Sequence, residues 1–188
     1  MEVRKAIKSR KSARRFATKK PDWRDIMDCI DAARFAPMAG NNCTLKIILV
    51  QDPDKIAKIT EACQQPFVGQ AQYLVVFCTN PKRTIDAYEG HGEKFLRQQA
   101  GAAIQNFLLA IEDKGLATCW IGYFVEEMIK RTLKVPKNCW VEAVFPVGFE
   151  SGVRGQKAKN KKKIDLDRIL YFDEYKETRM KPLRKLNV

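Results

Sequence analysis

Apolar residues recur along this chain with two different periods, and their alternation predicts interspersed helices and strands. Val3, Ala6 and Ile7 fit one face of a short opening helix, followed by a loop from Ser9 to Lys20. Pro21 suits a first helical position, with Asp22 and Asp25 in the acidic first turn. Trp23, Ile26, Met27, Ile30 and Ala33 then recur at helical spacing until Pro37 stops the helix. Leu45 to Gln51 reads as a buried strand, and Pro53 begins a helix with Ile56, Ile59 and Cys63 on one face. Tyr73 to Thr79 is the strongest strand of the chain. Residues 80–93, with Asn80-Pro81 and Gly90-His91-Gly92, read as a mobile excursion. A long helix is expected from Glu93 to Lys114, stopped by Gly115. A strand over Ala117 to Ile121, a helix over Val125 to Leu133 and a strand over Trp140 to Val147 follow. A basic loop at 151–163, a short helix at 164–170 and an aperiodic tail complete the pattern. The class is mixed α and β, with no internal repeat and no second domain.

Composition narrows the chemistry. The chain has 188 residues, 45% of them hydrophobic, enough for one domain with a real core. No apolar run approaches the roughly 20 residues of a membrane span, and the N-terminus reads as no secretory signal, so a cytoplasmic protein is expected. Six scattered cysteines without a C-x-x-C pair read as reduced core residues. A single histidine, His91, leaves no multi-histidine metal site, and between two glycines it reads as an exposed loop residue. No G-x-G-x-x-G, P-loop or G-x-S-x-G is present. The net charge of +13 sits at the ends: nine Lys/Arg against one acid in residues 1–20, and twelve against five in 154–188. The stretch between holds fourteen against sixteen. Ends brought together would make an anion site; ends left apart are solvated basic tails.

Three local features carry candidate chemistry. Arg10-Lys11-Ser12-Ala13-Arg14 gathers three cations and a hydroxyl after a helix, groups that grip phosphate oxygens. Surface loops of such composition are also common. Ala36-Pro37-Met38-Ala39-Gly40-Asn41-Asn42 joins a glycine that permits close approach to amides suited to a flat heterocycle. The same residues would serve a plain helix-to-strand connection. Gly115-Leu116-Ala117-Thr118-Cys119-Trp120-Ile121-Gly122 closes a strand on a glycine against which a ring could lie, unless Trp120 and Ile121 are simply core.

Taken in order, these segments resemble the nitroreductase family along nearly the whole chain. Its R-R-S-x-R-x-F opening reads Arg10 to Phe16, its A-P-S-A-G-N loop reads Ala36 to Asn41, and its G-L-G-t-c-W-i-G turn reads Gly115 to Gly122. Gly101 to Ala110, with Asn106, is similar to a family helix, and Pro146-Val147-Gly148-Phe149 to a family strand end. A late basic pair is matched by Lys161 and Lys163. The chain departs after Asn41, where Asn42-Cys43-Thr44-Leu45 stands for the frequent x-Q-P-W.

The resemblance implies an α+β fold: a three-layer α/β/α arrangement with a central, mostly antiparallel sheet, in an obligate homodimer with flavin mononucleotide (FMN) at the subunit interface. It implies a domain over 1–170 and an extension, 171–188, that wraps the partner. Arg10, Lys11, Ser12, Lys161 and Lys163 match phosphate-binding positions. Arg14 matches one near the flavin pyrimidine edge, where a cation favours the reduced anion. Pro37, Met38 and Asn41 match the segment that the partner subunit lays on the cofactor, and Ile121 and Gly122 the backbone beside N5. The implied activity is transfer of a hydride from NADH or NADPH through FMN to a nitroaromatic, quinone or flavin, by a ping-pong route. Competing readings are a flavin-binding redox sensor without turnover, and a nucleic-acid or anionic-surface binder using Lys157 to Lys163 and the basic tail.

Overall fold

The computed structural model describes residues 2–152 and 164–180, and the chain separates into two units, residues 1–153 and 154–188. In the first unit, β1 (Leu45–Val50), β2 (Tyr73–Thr79), β3 (Ala117–Thr118) and β4 (Trp140–Gly148) form one antiparallel sheet in the order β1-β2-β4-β3. Period-two alternation splits the apolar side chains between two faces. Tyr73, Val75, Phe77 and Phe145 point to α2 (Trp23–Ala33) and α5 (Gly92–Asp113). Leu74, Val76, Cys78 and Val144 point to α3 (Pro53–Cys63) and α6 (Glu126–Leu133). The result is the expected three-layer α+β arrangement, with β2 buried along its whole length.

Two further helices, α1 (Val3–Ser9) and α4 (Lys82–Tyr88), complete the unit. A bulge in β4 opposite Phe77 and Cys78 leaves Glu142 out of register. Its carboxylate accepts hydrogen bonds from the Thr79 hydroxyl (2.5 Å) and the Arg97 guanidinium (2.7 Å), so the extra residue turns a charge toward the rim.

Local signals explain the boundaries. Asp52 accepts the N–H groups of Asp54 and Lys55, and Pro53 occupies the first turn of α3. Gly115 adopts φ 68° after α5, while Leu116 N–H returns to the Ile111 carbonyl. Four expectations need correction. Pro21 is not a first helical residue: Asp22 caps α2 by accepting Arg24 N–H at 2.9 Å, which places the start at Trp23. Residues 80–93 are not an irregular excursion, because Asn80 Oδ1 accepts Lys82 N–H and Pro81 opens α4. The strand expected over 117–121 pairs only at Ala117–Thr118, with Ile121 bridging Val144 alone. In the second unit, the helix expected at 164–170 is a single 3-10 turn, Leu166–Arg168, and the Tyr171 and Tyr175 rings meet edge-on at 5.0 Å.

Candidate cofactor site

The basic segment after α1 is held by its backbone. Ala13 N–H donates to the Thr118 carbonyl at 2.9 Å, Ala17 N–H to the Phe149 carbonyl at 2.8 Å, and Ser151 N–H to the Arg15 carbonyl at 3.1 Å. Residues 10–17 therefore run along the outer edge of β3 and the end of β4. Ala13 and Phe16 are buried in this arrangement, and Phe16 lies against Gly148, where an added Cβ would come within 3.2 Å of its ring. Burial of those two turns Ser12, Arg14 and Arg15 outward. Arg10 caps the C-terminus of α1, and Lys11 pairs with Glu150 at 2.6 Å. Glu150 went unnoticed in the sequence; strand register alone brings it there.

The neighbouring turn supplies a surface. Thr118 is buried, and its hydroxyl has no hydrogen-bond partner among the described residues. Ile121 is buried and exchanges both backbone hydrogen bonds with Val144, at 3.0 and 3.1 Å. Trp120 stands between them 43% exposed, its ring edge-on to Phe145 at 5.7 Å. Gly122 is exposed and outside the left-handed region, and a Cβ there would meet only the Trp120 indole, at 3.7 Å. The chain's own packing thus gives no reason for glycine at 122. An exposed glycine, a buried hydroxyl without a partner and outward-facing cations along one sheet edge are groups suited to a flat ring with an anionic arm.

The second candidate segment lies elsewhere. Pro37 and Asn41 are exposed, Met38 is partly buried, and the loop leads into β1. Gly40 and Asn41 both adopt left-handed backbone, at φ 56° and 55°. Register shows the separation: Thr118 pairs with Val147 on β4, whereas Leu45 pairs with Thr79, which pairs with Trp140. Three strand spacings across and seven residues along put the two segments on opposite edges and opposite ends, about 14 Å by 23 Å apart at ordinary sheet dimensions. One chain sets Arg10, Lys11, Ser12 and Arg14 along the same sheet edge as Ile121 and Gly122, and leaves Pro37, Met38 and Asn41 apart. Lys161 and Lys163 lie outside the described residues.

Other chemistry is sparse. Cys29, Cys63 and Cys78 are free and buried, and burial raises each thiol to about 12, too high for a reactive thiolate. Cys43 is free and exposed. His91 is exposed and stacks on Phe95. Among the described residues no group of three His, Cys, Asp or Glu could hold a metal ion, and no helix is long and apolar enough to cross a membrane.

A three-layer domain with outward-facing cations along one sheet edge defines the class as α+β, with a single antiparallel sheet between helical layers. The nitroreductase family model matches residues 7–65 and 60–149, and the chain belongs to that family. It is 29% identical to a protein of Archaeoglobus fulgidus provisionally named as an NADH dehydrogenase/NAD(P)H nitroreductase, over 79% of this chain and 85% of that one. It is 27% identical to a Bacillus subtilis protein named as an NAD(P)H FMN reductase, over 93% of this chain and 74% of that one. Among solved structures, a nitroreductase family protein from Clostridium novyi NT superposes with a TM-score of 0.73 at 27% identity, covering 94% of this chain and 96% of that one.

Proposed function

We propose that this chain is an FMN-dependent oxidoreductase that takes a hydride from NADH or NADPH and delivers it to a small acceptor such as a nitroaromatic, a quinone or a free flavin. The observation that carries the reading is the backbone docking of Arg10 to Phe16 beside the open Trp120–Gly122 surface. It sets phosphate-binding side chains next to a place where a flat ring can rest. Bound FMN would supply the hydride chemistry, accepting and releasing two electrons at its ring.

The residues divide the work. Arg10, Lys11 and Ser12 hold the phosphate; Arg14 favours negative charge on the reduced ring. Ile121 spends both backbone groups on Val144, so it fixes the turn, and a backbone donor to the ring edge falls to Gly122. No side-chain acid or base is needed for hydride transfer itself, since the ring accepts the hydride directly.

The active form is a homodimer. Val3, Ala6, Phe35, Leu109 and Ala110, together with Asn106 and Asp113, line a mostly apolar groove of about 350 Å³ beside α1, α2 and α5. Exposed Ile7, Trp23 and Met27 lie on the same helices. Such a patch fits a second copy better than water. The partner's 37–41 loop then completes the site.

Purified protein with a yellow chromophore, or taking up added FMN with quenched fluorescence and bleaching under NADH or NADPH, is the expected result. Protein that neither carries nor binds FMN refutes the reading. Binding without NAD(P)H oxidation, whatever acceptor is offered, replaces the enzyme by a redox sensor. A monomer in sedimentation with FMN present removes the dimer.

A further inference from the structure

The loop expected to reach the partner's cofactor is built at a cost. Gly40 and Asn41 adopt left-handed backbone in succession, and asparagine pays for that conformation where glycine does not. Such strain persists only where neighbours over-determine it. Here the neighbours are specific. Gln99 is buried on α5, at 4% exposure, and its amide is used at both ends. Its Oε1 accepts Ala39 N–H at 3.1 Å, and its Nε2 donates to Thr44 Oγ1 at 2.6 Å. Those partners stand on either side of Gly40 and Asn41. A primary amide accepts at one oxygen and donates at one nitrogen, so one side chain brackets the loop. From outside, the Tyr88 hydroxyl closes the bracket: a Cβ on Gly40 would lie 2.5 Å from it. Tyr88 is itself braced edge-on against Phe95 at 5.1 Å. Thr44 in turn gives its carbonyl to Asn80 N–H at 2.9 Å, which ties the loop's end to the start of α4.

We propose that Gln99, through Ala39 and Thr44, is the positioning residue that sets Met38 and Asn41 for contact with the flavin bound to the partner subunit. This rests on the FMN reading above. Gln99 touches no cofactor; it acts by holding the strained turn in one conformation. A loop released from the bracket relaxes toward ordinary backbone and swings its amide away, so FMN binding and the flavin's surroundings change together.

The test uses full-length protein. Gln99→Met keeps length and apolar packing but removes both hydrogen bonds. Thr44→Val removes one of them, Thr44→Ser restores the hydroxyl, and Ile59→Val in the α3 core controls for lost stability. Three quantities are read: amide hydrogen exchange at residues 40–42 without FMN, the FMN Kd by fluorescence quenching, and the visible circular dichroism of bound flavin. Gln99→Met should speed exchange and weaken FMN about ten-fold, and Thr44→Val about three- to ten-fold, in line with one or two lost buried hydrogen bonds. The flavin dichroism should change in both. Thr44→Ser and Ile59→Val should stay within about two-fold of the parent, as distant or conservative changes do. Unchanged exchange in Gln99→Met overturns the bracket. Faster exchange with parental Kd and dichroism overturns its bearing on the flavin while leaving FMN binding intact. Should the parent protein bind no FMN, the functional reading itself fails and this inference falls with it. If Gln99→Met does not fold, Thr44→Val against Thr44→Ser decides the matter alone.

Discussion

Replacing two glycines of the same helix by alanine should move stability in opposite directions. Gly92 opens α5 with ordinary helical angles, φ −58° and ψ −42°, and Gly101 lies in its middle. By intrinsic preference alone, either replacement should gain about 1 kcal/mol. Surroundings decide the sign. A Cβ on Gly92 would lie 2.5 Å from Ile85 Cα, 2.8 Å from the Thr84 carbonyl oxygen and 3.0 Å from Ile85 N. All three belong to the backbone of α4, which cannot step aside as a side-chain tip can. Overpacking of this kind costs about 1–3 kcal/mol when side chains absorb it, and backbone places it at the upper end, so Gly92→Ala should lose about 2 kcal/mol net. A Cβ on Gly101 meets nothing within 4 Å, so Gly101→Ala should keep its gain of about 1 kcal/mol. For a chain of this size the shifts in Tm are about 4–8 °C down and 2–4 °C up. Thermal and urea unfolding at matched protein concentration measure both. Gly92→Ala as stable as the parent would refute the idea that backbone contact between α4 and α5 demands this glycine. Gly101→Ala that loses stability only where the protein dimerises would place a second copy against that point of α5.

Four further outcomes follow from the charges and thiols. Glu126 is pushed up by burial but held below its ordinary 4.5 by the Val141 N–H at 2.9 Å and the Lys130 ammonium at 2.9 Å. A depressed carboxyl stabilises above its unfolded value and loses that contribution as pH falls, so Glu126→Gln should flatten the acid limb of stability below about pH 4.5; an unchanged limb counts against the pair. Burial lowers and the Glu126 hydrogen bond raises Lys130, with a net rise, so its contribution is present at neutral pH and fades only at high alkaline pH. Lys130→Met should therefore cost about 1–3 kcal/mol in urea at pH 7, the low end for a pair whose carboxylate is part-exposed. With a thiol reagent at pH 8, one cysteine, Cys43, should react in the native state and six after unfolding; a second fast thiol would show that a buried cysteine is reachable. Glu150→Gln should free Lys11 and tighten FMN about two- to five-fold at low salt, while Lys11→Gln weakens it, both effects shrinking as salt screens them. No salt dependence would remove Lys11 from the phosphate site.

What the sequence revealed depended on distance along the chain. β1, β2, β4 and α3 were legible because alternation, β-branched runs and the Asp52-Pro53 start act within a few residues. α4 was not. Its polar sequence buries only Thr84, and its flanking Asn, Pro and Gly are also loop residues. Nothing local shows that Gly92 is small because Ile85 backbone presses on it. Cys119 to Ile121 look like strand by composition, but the chain there leaves the β4 edge and rejoins it only at Ile121. Trp23 and Met27 keep helical spacing on α2 and are still exposed, because nothing among the described residues of the first unit covers that side. Among the candidate residues, Arg10, Lys11, Ser12, Arg14 and Gly122 stood out by residue type. Glu150, Thr118 and Gln99 act through register or across 60 residues, and no pattern in one sequence joins Gln99 to Ala39.

The sheet order explains why one chain keeps the two candidate segments apart. β1 and β3 are the two edges, and the candidate segments lead into one and flank the other. No movement of loops alone spans three strands, because β2 between them is buried throughout and pinned on both sides. A ligand touching both segments therefore requires a second molecule that brings its β1 edge to this chain's β3 edge. A two-fold relation would do so twice, giving two equivalent sites. The apolar groove among α1, α2 and α5 supplies a surface for such a contact on the face that also carries Trp120 against Phe145. Mixing Asn41→Ala subunits with Arg14→Ala subunits would then restore one intact site in each mixed dimer. Recovery of up to about a quarter of parental FMN sites from random pairing is the expected result. No recovery in a demonstrated mixed dimer would mean that both segments serve the same chain's site, against the separation that the strand register imposes.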